Sequence, residues 1–163
     1  MFEIVLPQPE EISENEKDDA MGAYLMMFAS WAIGLPLPLF NLVAALIYFF
    51  VNGRDSRYVA FHAYQSLLSQ IPVTLLNAGA LGWLIVVLVS PARFSTVFLI
   101  YLIGVAVANC LYLIFSIVAL IGARRGEIYY IPLFGAMAFS RYYGKHAAPL
   151  EKPRNRAPKG FDT

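Results

Sequence analysis

The chain has 163 residues, 59% hydrophobic and 15% aromatic, with 14% charged and a formal net charge of +1. That is too apolar for a soluble domain of this length and places the chain in a bilayer. Its single cysteine, Cys110, excludes an internal disulfide and reads as a small apolar filler.

Residues 1–20 form an acidic N-terminal tail, with Glu3, Glu10, Glu11, Glu14, Glu16, Asp18 and Asp19 against Lys17. A secretory signal or mitochondrial presequence would be basic here, so neither is expected. Three charge-free runs follow: Ala20 to Gly53, Tyr58 to Ala92 and Phe94 to Ala123, of 34, 35 and 30 residues. Each exceeds the roughly 20 helical residues that cross a hydrocarbon core of about 30 Å. No ten-residue alternation marks barrel strands. The expected fold is all-α, a polytopic helical membrane bundle of 3–4 spans over residues 21–126.

The first run is interrupted at "GLPLPLFN", where two prolines remove backbone donors and bias Leu35 and Leu37 away from helix. A single kinked helix would leave the N-terminus outside. Two short helices, Tyr24–Leu35 and Leu39–Val51, would leave it inside, and this hairpin is the reading adopted. The second and third runs, joined at "SPAR", form an antiparallel hairpin. Basic residues flank the other end of that hairpin, at Arg54 and Arg57 and from Arg124 onward, so this end and the C-terminus are expected in the cytoplasm. Residues 127–145 are too short to span and rich in tyrosine, which predicts an interfacial aromatic segment. Residues 146–163, Pro-rich and basic, read as a disordered tail. Its charges suit anionic lipid better than nucleic acid, and no nucleic-acid partner is expected.

On the second run Tyr58, His62, Gln65, Ser66, Ser69 and Asn77 share one helical face, and Asn109, Tyr112 and Ser116 form a shorter counterpart on the third. Folding the hairpin at Arg93 sets Asn77 level with Asn109, Ser69 near Ser116 and His62 level with Arg124. Ala78 with Gly82, and Gly104 with Ala108, add small-residue pairs that permit close helix contact. The seam of Ser66, Ser69, Asn77, Asn109, Tyr112 and Ser116 reads first as interhelical hydrogen bonding. Its alternative is a polar path in an oligomeric channel or transporter lined by His62 to Asn77. No carboxylate lies in any run, so ion-coupled transport lacks its usual acid. With only His62 and His146, no HExxH, no paired acids and no nucleophile elbow, neither an enzyme nor a metal or cofactor site is expected.

Two short motifs carry a resemblance. Phe61, His62, Ala63 and Gln65 open one helix, and Arg125, Gly126, Glu127, Tyr129 and Pro132 close another. With the prolines around Leu37, they resemble the small helical proteins related to the twenty-kilodalton component of the chloroplast inner-envelope import translocon. The resemblance covers roughly Met21 to Leu133 and implies four spans with both ends inside. With no catalytic groups but long polar and small-residue faces, the chain is expected to be a non-enzymatic subunit of the cell membrane that packs against other membrane proteins or copies of itself. The resemblance adds a protein translocation or secretion assembly as the setting. Both motifs fall at one end of the hairpin, so Arg57, Phe61, His62, Gln65, Arg125, Gly126, Glu127, Tyr129 and Pro132 form either a structural clasp or a docking site. A hydrogen bond from His62 to Glu127 or nearby backbone is the expected core of that clasp.

Overall fold

The computed structural model describes residues 6–29, 38–54, 56–90 and 94–144, and the regular structure among them is helical. The proline-broken stretch around Leu35 and Leu37, the "SPAR" turn and the basic tail lie outside these residues. Helix α1 spans Glu14–Leu25 and runs into a 3₁₀ turn, Met26–Phe28. Helix α2 spans Pro38–Asn52, α3 Arg57–Val89, α4 Thr96–Arg124 and α5 Phe134–Tyr142.

The acidic stretch read as a tail is helical from Glu14. Ser13 accepts a hydrogen bond from the Glu16 N–H at 3.3 Å, and the Glu16 carboxylate accepts from the Ser13 N–H at 2.9 Å. This reciprocal cap satisfies two helix-end donors, and Glu14 and Glu16 sit at the favourable end of the helix dipole. Ala20, Ala23 and Tyr24 then turn inward, and α1 packs against both α3 and α4.

Helices α3 and α4 are about 50 and 44 Å long at 1.5 Å per residue, well beyond a hydrocarbon core of about 30 Å. Their burial divides accordingly. From Tyr58 to Gln70 most of α3 is buried, whereas the stretch from Ile71 to Val89 exposes Leu75, Ile85, Val86, Leu88 and Val89. That exposed stretch is about 28 Å long, one bilayer core. Helix α4 likewise exposes Val97, Ile100, Ile103, Val107 and Ile114 and buries Ala119 and Ala123. The excess length of both helices enters a compact head with α1 and α5, where Leu6, Ile12, Tyr24, Tyr58, Phe61, Ile131 and Phe139 form the core.

Among the described residues two helices, α3 and α4, are long and apolar enough to cross a membrane. Of the 3–4 spans expected from the runs, the described residues supply these two. Part of the first run belongs to the end of α1, and Leu39–Asn52 makes a shorter apolar helix.

A close approach within the hairpin falls at Gly79 rather than at the glycines expected. A Cβ on Gly79 would lie 2.6 Å from the Tyr101 hydroxyl, which donates to the Leu76 carbonyl at 2.8 Å. Around Gly82 and Gly104 there is open space within 4 Å. These two glycines therefore do not form the helix contact.

Candidate functional site

Three elements converge on one buried polar junction at the head end of α3. The ring of His62 is fully buried, and its Nδ1 lies 2.9 Å from the Tyr24 hydroxyl. That hydroxyl accepts from Gln65 Nε2 at 2.7 Å, so its own proton is directed at His62 Nδ1. The imidazole is then the tautomer carrying its proton on Nε2. The Glu127 backbone approaches the ring, although Nε2 makes no hydrogen bond of good geometry. Burial raises the Tyr24 phenol far above its ordinary pKa and keeps it a donor.

Gln65 is the hub. Its amide nitrogen donates to Tyr24 and, at 3.0 Å, to the Tyr129 carbonyl, and its oxygen accepts from the Ile131 N–H at 3.2 Å. Both amide hydrogens are used, so the orientation of the side chain is determined. Gly135 permits this arrangement, because a Cβ there would lie 2.8 Å from the Gln65 oxygen and 2.7 Å from Tyr130 Cα. Two turns before Gln65, Tyr58 donates to the Ala123 carbonyl at 2.7 Å and lies 3.4 Å from that of Glu127. Ser66 donates to the Ala23 carbonyl at 2.8 Å, tying α3 to α1.

The Arg125–Pro132 motif is a helix terminator. Gly126 adopts φ 77°, with the Glu127 N–H on the Gly122 carbonyl at 2.9 Å and the Gly126 N–H on the Ala123 carbonyl at 3.1 Å. This Schellman cap requires the left-handed conformation that glycine takes without penalty. Pro9 closes over it, 2.8 Å from where a Cβ would stand. Phe61 is fully buried beside the Tyr130 and Tyr143 rings, while Arg57, Arg125 and Pro132 are exposed.

Lower in the hairpin Asn77 and Asn109 exchange two hydrogen bonds of 3.1 Å, each also donating to its own helix at 2.8 Å. Ser69 donates to the Ser66 carbonyl at 2.8 Å, and Tyr112 lies beside the buried Ser116. A pore lined by His62 to Asn77 is incompatible with this packing. His62, Gln65, Ser66 and Ser69 are buried within the protomer against α1 and α5, so they cannot face a common axis.

A surface latch adds to the junction. Arg124 pairs with Glu14 at 2.7 Å and with Asp18 at 3.3 Å. The Arg124 hydrogen bond, followed by Lys17, holds the Glu14 carboxyl down at about 2. Ser56, ahead of Ser13, lowers Glu16 and links the starts of α1 and α3. Tyr24 and Gly135 were not among the residues expected at the site, and Tyr58 was expected only as part of the polar face. The Ser13-x-x-Glu16 spacing was the available signal for α1, and with α1 placed Tyr24 becomes a candidate for the inward face. Among the described residues no group of three or more His, Cys, Asp or Glu side chains is placed to hold a metal ion.

The profile of the MamF/MmsF family, described as the magnetosome magnetite crystal formation protein family, matches residues 16–138. The chain belongs to that family. The match runs from α1 into α5 and includes both motifs that resembled the chloroplast import translocon component. That resemblance is overturned, and the assignment to protein translocation loses its support with it. Its motifs serve needs general to helical hairpins: a glycine to end one helix, and a glutamine to bind the backbone that leaves it. No curated protein and no solved structure matches the chain.

Proposed function

We propose that the protein is a non-enzymatic membrane component of magnetite crystal formation in the magnetosome. In this reading α3 and α4 hold the chain in the bilayer, and the head keeps the acidic helix α1 in a fixed orientation at the membrane surface. The family match over residues 16–138 carries the proposal, because it takes in the elements that build the junction. The chemistry agrees. His62, Gln65, Ser66 and Ser69, the side chains that could have been reactive, are buried and engaged in packing.

Arg57, Arg124, Arg125 and Arg141 at the head end favour a cytoplasmic head. Residues 127–145 form the interfacial segment, and the Phe61–Gln65 and Arg125–Pro132 motifs act as a structural clasp. The outward surfaces are then free to meet other membrane proteins of the same compartment.

The test is complementation in a magnetite-forming bacterium lacking its own family member. The wild-type chain should restore crystal number and size by electron microscopy, and a Tyr24→Phe, Gln65→Leu double variant should restore them poorly. Unaltered crystals with the wild-type protein present in the membrane would reject the assignment.

A further inference from the structure

Helix α5 carries an outward row that the junction does not use. Leu133, Met137 and Arg141 are spaced by four, so they line one side of the helix, opposite the buried Gly135 and Phe139. Leu133 and Met137 are 79% and 52% exposed. Leu133 is held out by an uncommon backbone. Its φ is 68°, and the Phe134 N–H donates to the Pro132 carbonyl at 2.9 Å, closing a three-residue turn that side-chain-bearing residues avoid.

Arg141 ends the row. Its guanidinium carbon lies 4.8 Å from the centroid of the Tyr64 ring and 5.9 Å from that of Tyr142. Stacking of this kind orients the guanidinium while preserving its full charge. Among the described residues no carboxylate pairs with it. Tyr64 in turn meets the Phe49 ring of α2 at 5.7 Å, and the adjoining Phe50 and Val51 belong to the exposed apolar surface. The row therefore lies where the buried head gives way to the lipid-facing helices.

We propose that this face of α5 is a lipid-headgroup site, in which Arg141 binds the phosphate of an anionic phospholipid and Leu133 and Met137 enter the outermost acyl layer. The occupant follows from the order of groups. Two apolar side chains, a stacked cation and flanking tyrosines match the polarity gradient of a bilayer interface. The row is also continuous with the exposed apolar surface of α2, at Phe50 and Val51. This inference rests on the membrane placement of the hairpin proposed above.

The test uses the full chain with Cys110→Ser, spin-labelled at Met137→Cys or at Ile100→Cys, in phosphatidylcholine vesicles containing phosphatidylglycerol. Both labels should be more accessible to oxygen than to a water-soluble nickel complex. A lipid-exposed label at 100 with a water-exposed one at 137 overturns this site alone, whereas water exposure at 100 overturns the membrane placement as well. A label at 137 shielded from both reagents means a protein neighbour and also overturns the site. In parallel, native mass spectrometry should show that Arg141→Gln retains about fivefold less phosphatidylglycerol, with little change for the exposed Arg54→Gln. Equal losses in the two variants would reduce the effect to net charge and reject a site at Arg141.

Discussion

The Tyr24 hydroxyl stands between His62 Nδ1 and Gln65 Nε2, at 2.9 and 2.7 Å, and is the point at which α1 is tied into the end of the membrane hairpin. Removing it leaves a ring nitrogen and an amide hydrogen buried without partners. Tyr24→Phe should therefore destabilise the head by about 1–3 kcal/mol, read as a lowered thermal midpoint in detergent. A midpoint equal to that of the wild type would mean the junction contributes nothing to stability.

Glycine substitutions separate the junction from the lipid-facing surface. Gly135→Ala drives a methyl group into Tyr130 and the Gln65 oxygen and should cost about 1–3 kcal/mol. Gly82→Ala meets nothing within 4 Å and should fall within about 0.5 kcal/mol of wild type or gain slightly from helix propensity. The reverse ranking in thermal melts would contradict the packing described.

The paired amides of Asn77 and Asn109 should show coupling in a double-mutant cycle. Each single change to leucine strands the partner's amide, and the double change strands neither. The expected interaction energy is about 0.6 kcal/mol, the average for such bonds between membrane helices. Strict additivity would place the two amides on separate partners.

Acid should release α1. Glu14 ordinarily titrates near 4.5 and is held at about 2, so its ion pair contributes fully above pH 4.5 and is lost as the pH falls toward 2. Glu14 is fully exposed and screened, which makes the effect local rather than global. A spin label at Asn15→Cys, with Cys110→Ser, should become more mobile through that window, and Glu14→Gln should remove most of the transition. Loosening at alkaline pH instead would contradict the assignment to a carboxylate.

Charge-free runs made the hairpin legible, because thirty uncharged residues have few other places to be. The level of Asn77 with Asn109 followed from helix pitch once the turn was placed. What stayed hidden depended on contacts between distant residues. Nothing local to "DDAMGAYL" says that Tyr24 faces His62, and a run of acids looks like a solvated tail until its cap is noticed. Arg124 was placed level with His62, yet its partners are Glu14 and Asp18, from a helix the reading had left out. The resemblance failed because its motifs report how a helix ends and how a glutamine packs, which different families require alike.

The spacing of the junction along the chain also sets an order of assembly. Gln65 meets Tyr24 from 41 positions before it and Tyr129 from 64 after it, and Arg124 reaches back 110 positions to Glu14. Tyr24 and Ala23 can meet His62, Gln65 and Ser66 as soon as α3 is made, but the Arg124 latch and the Gln65 bond to Tyr129 wait for α4 and the segment after it. The hairpin, with nearby partners, can close early. Until then α1 is held by α3 alone, and its other side, which α4 later covers, stays open.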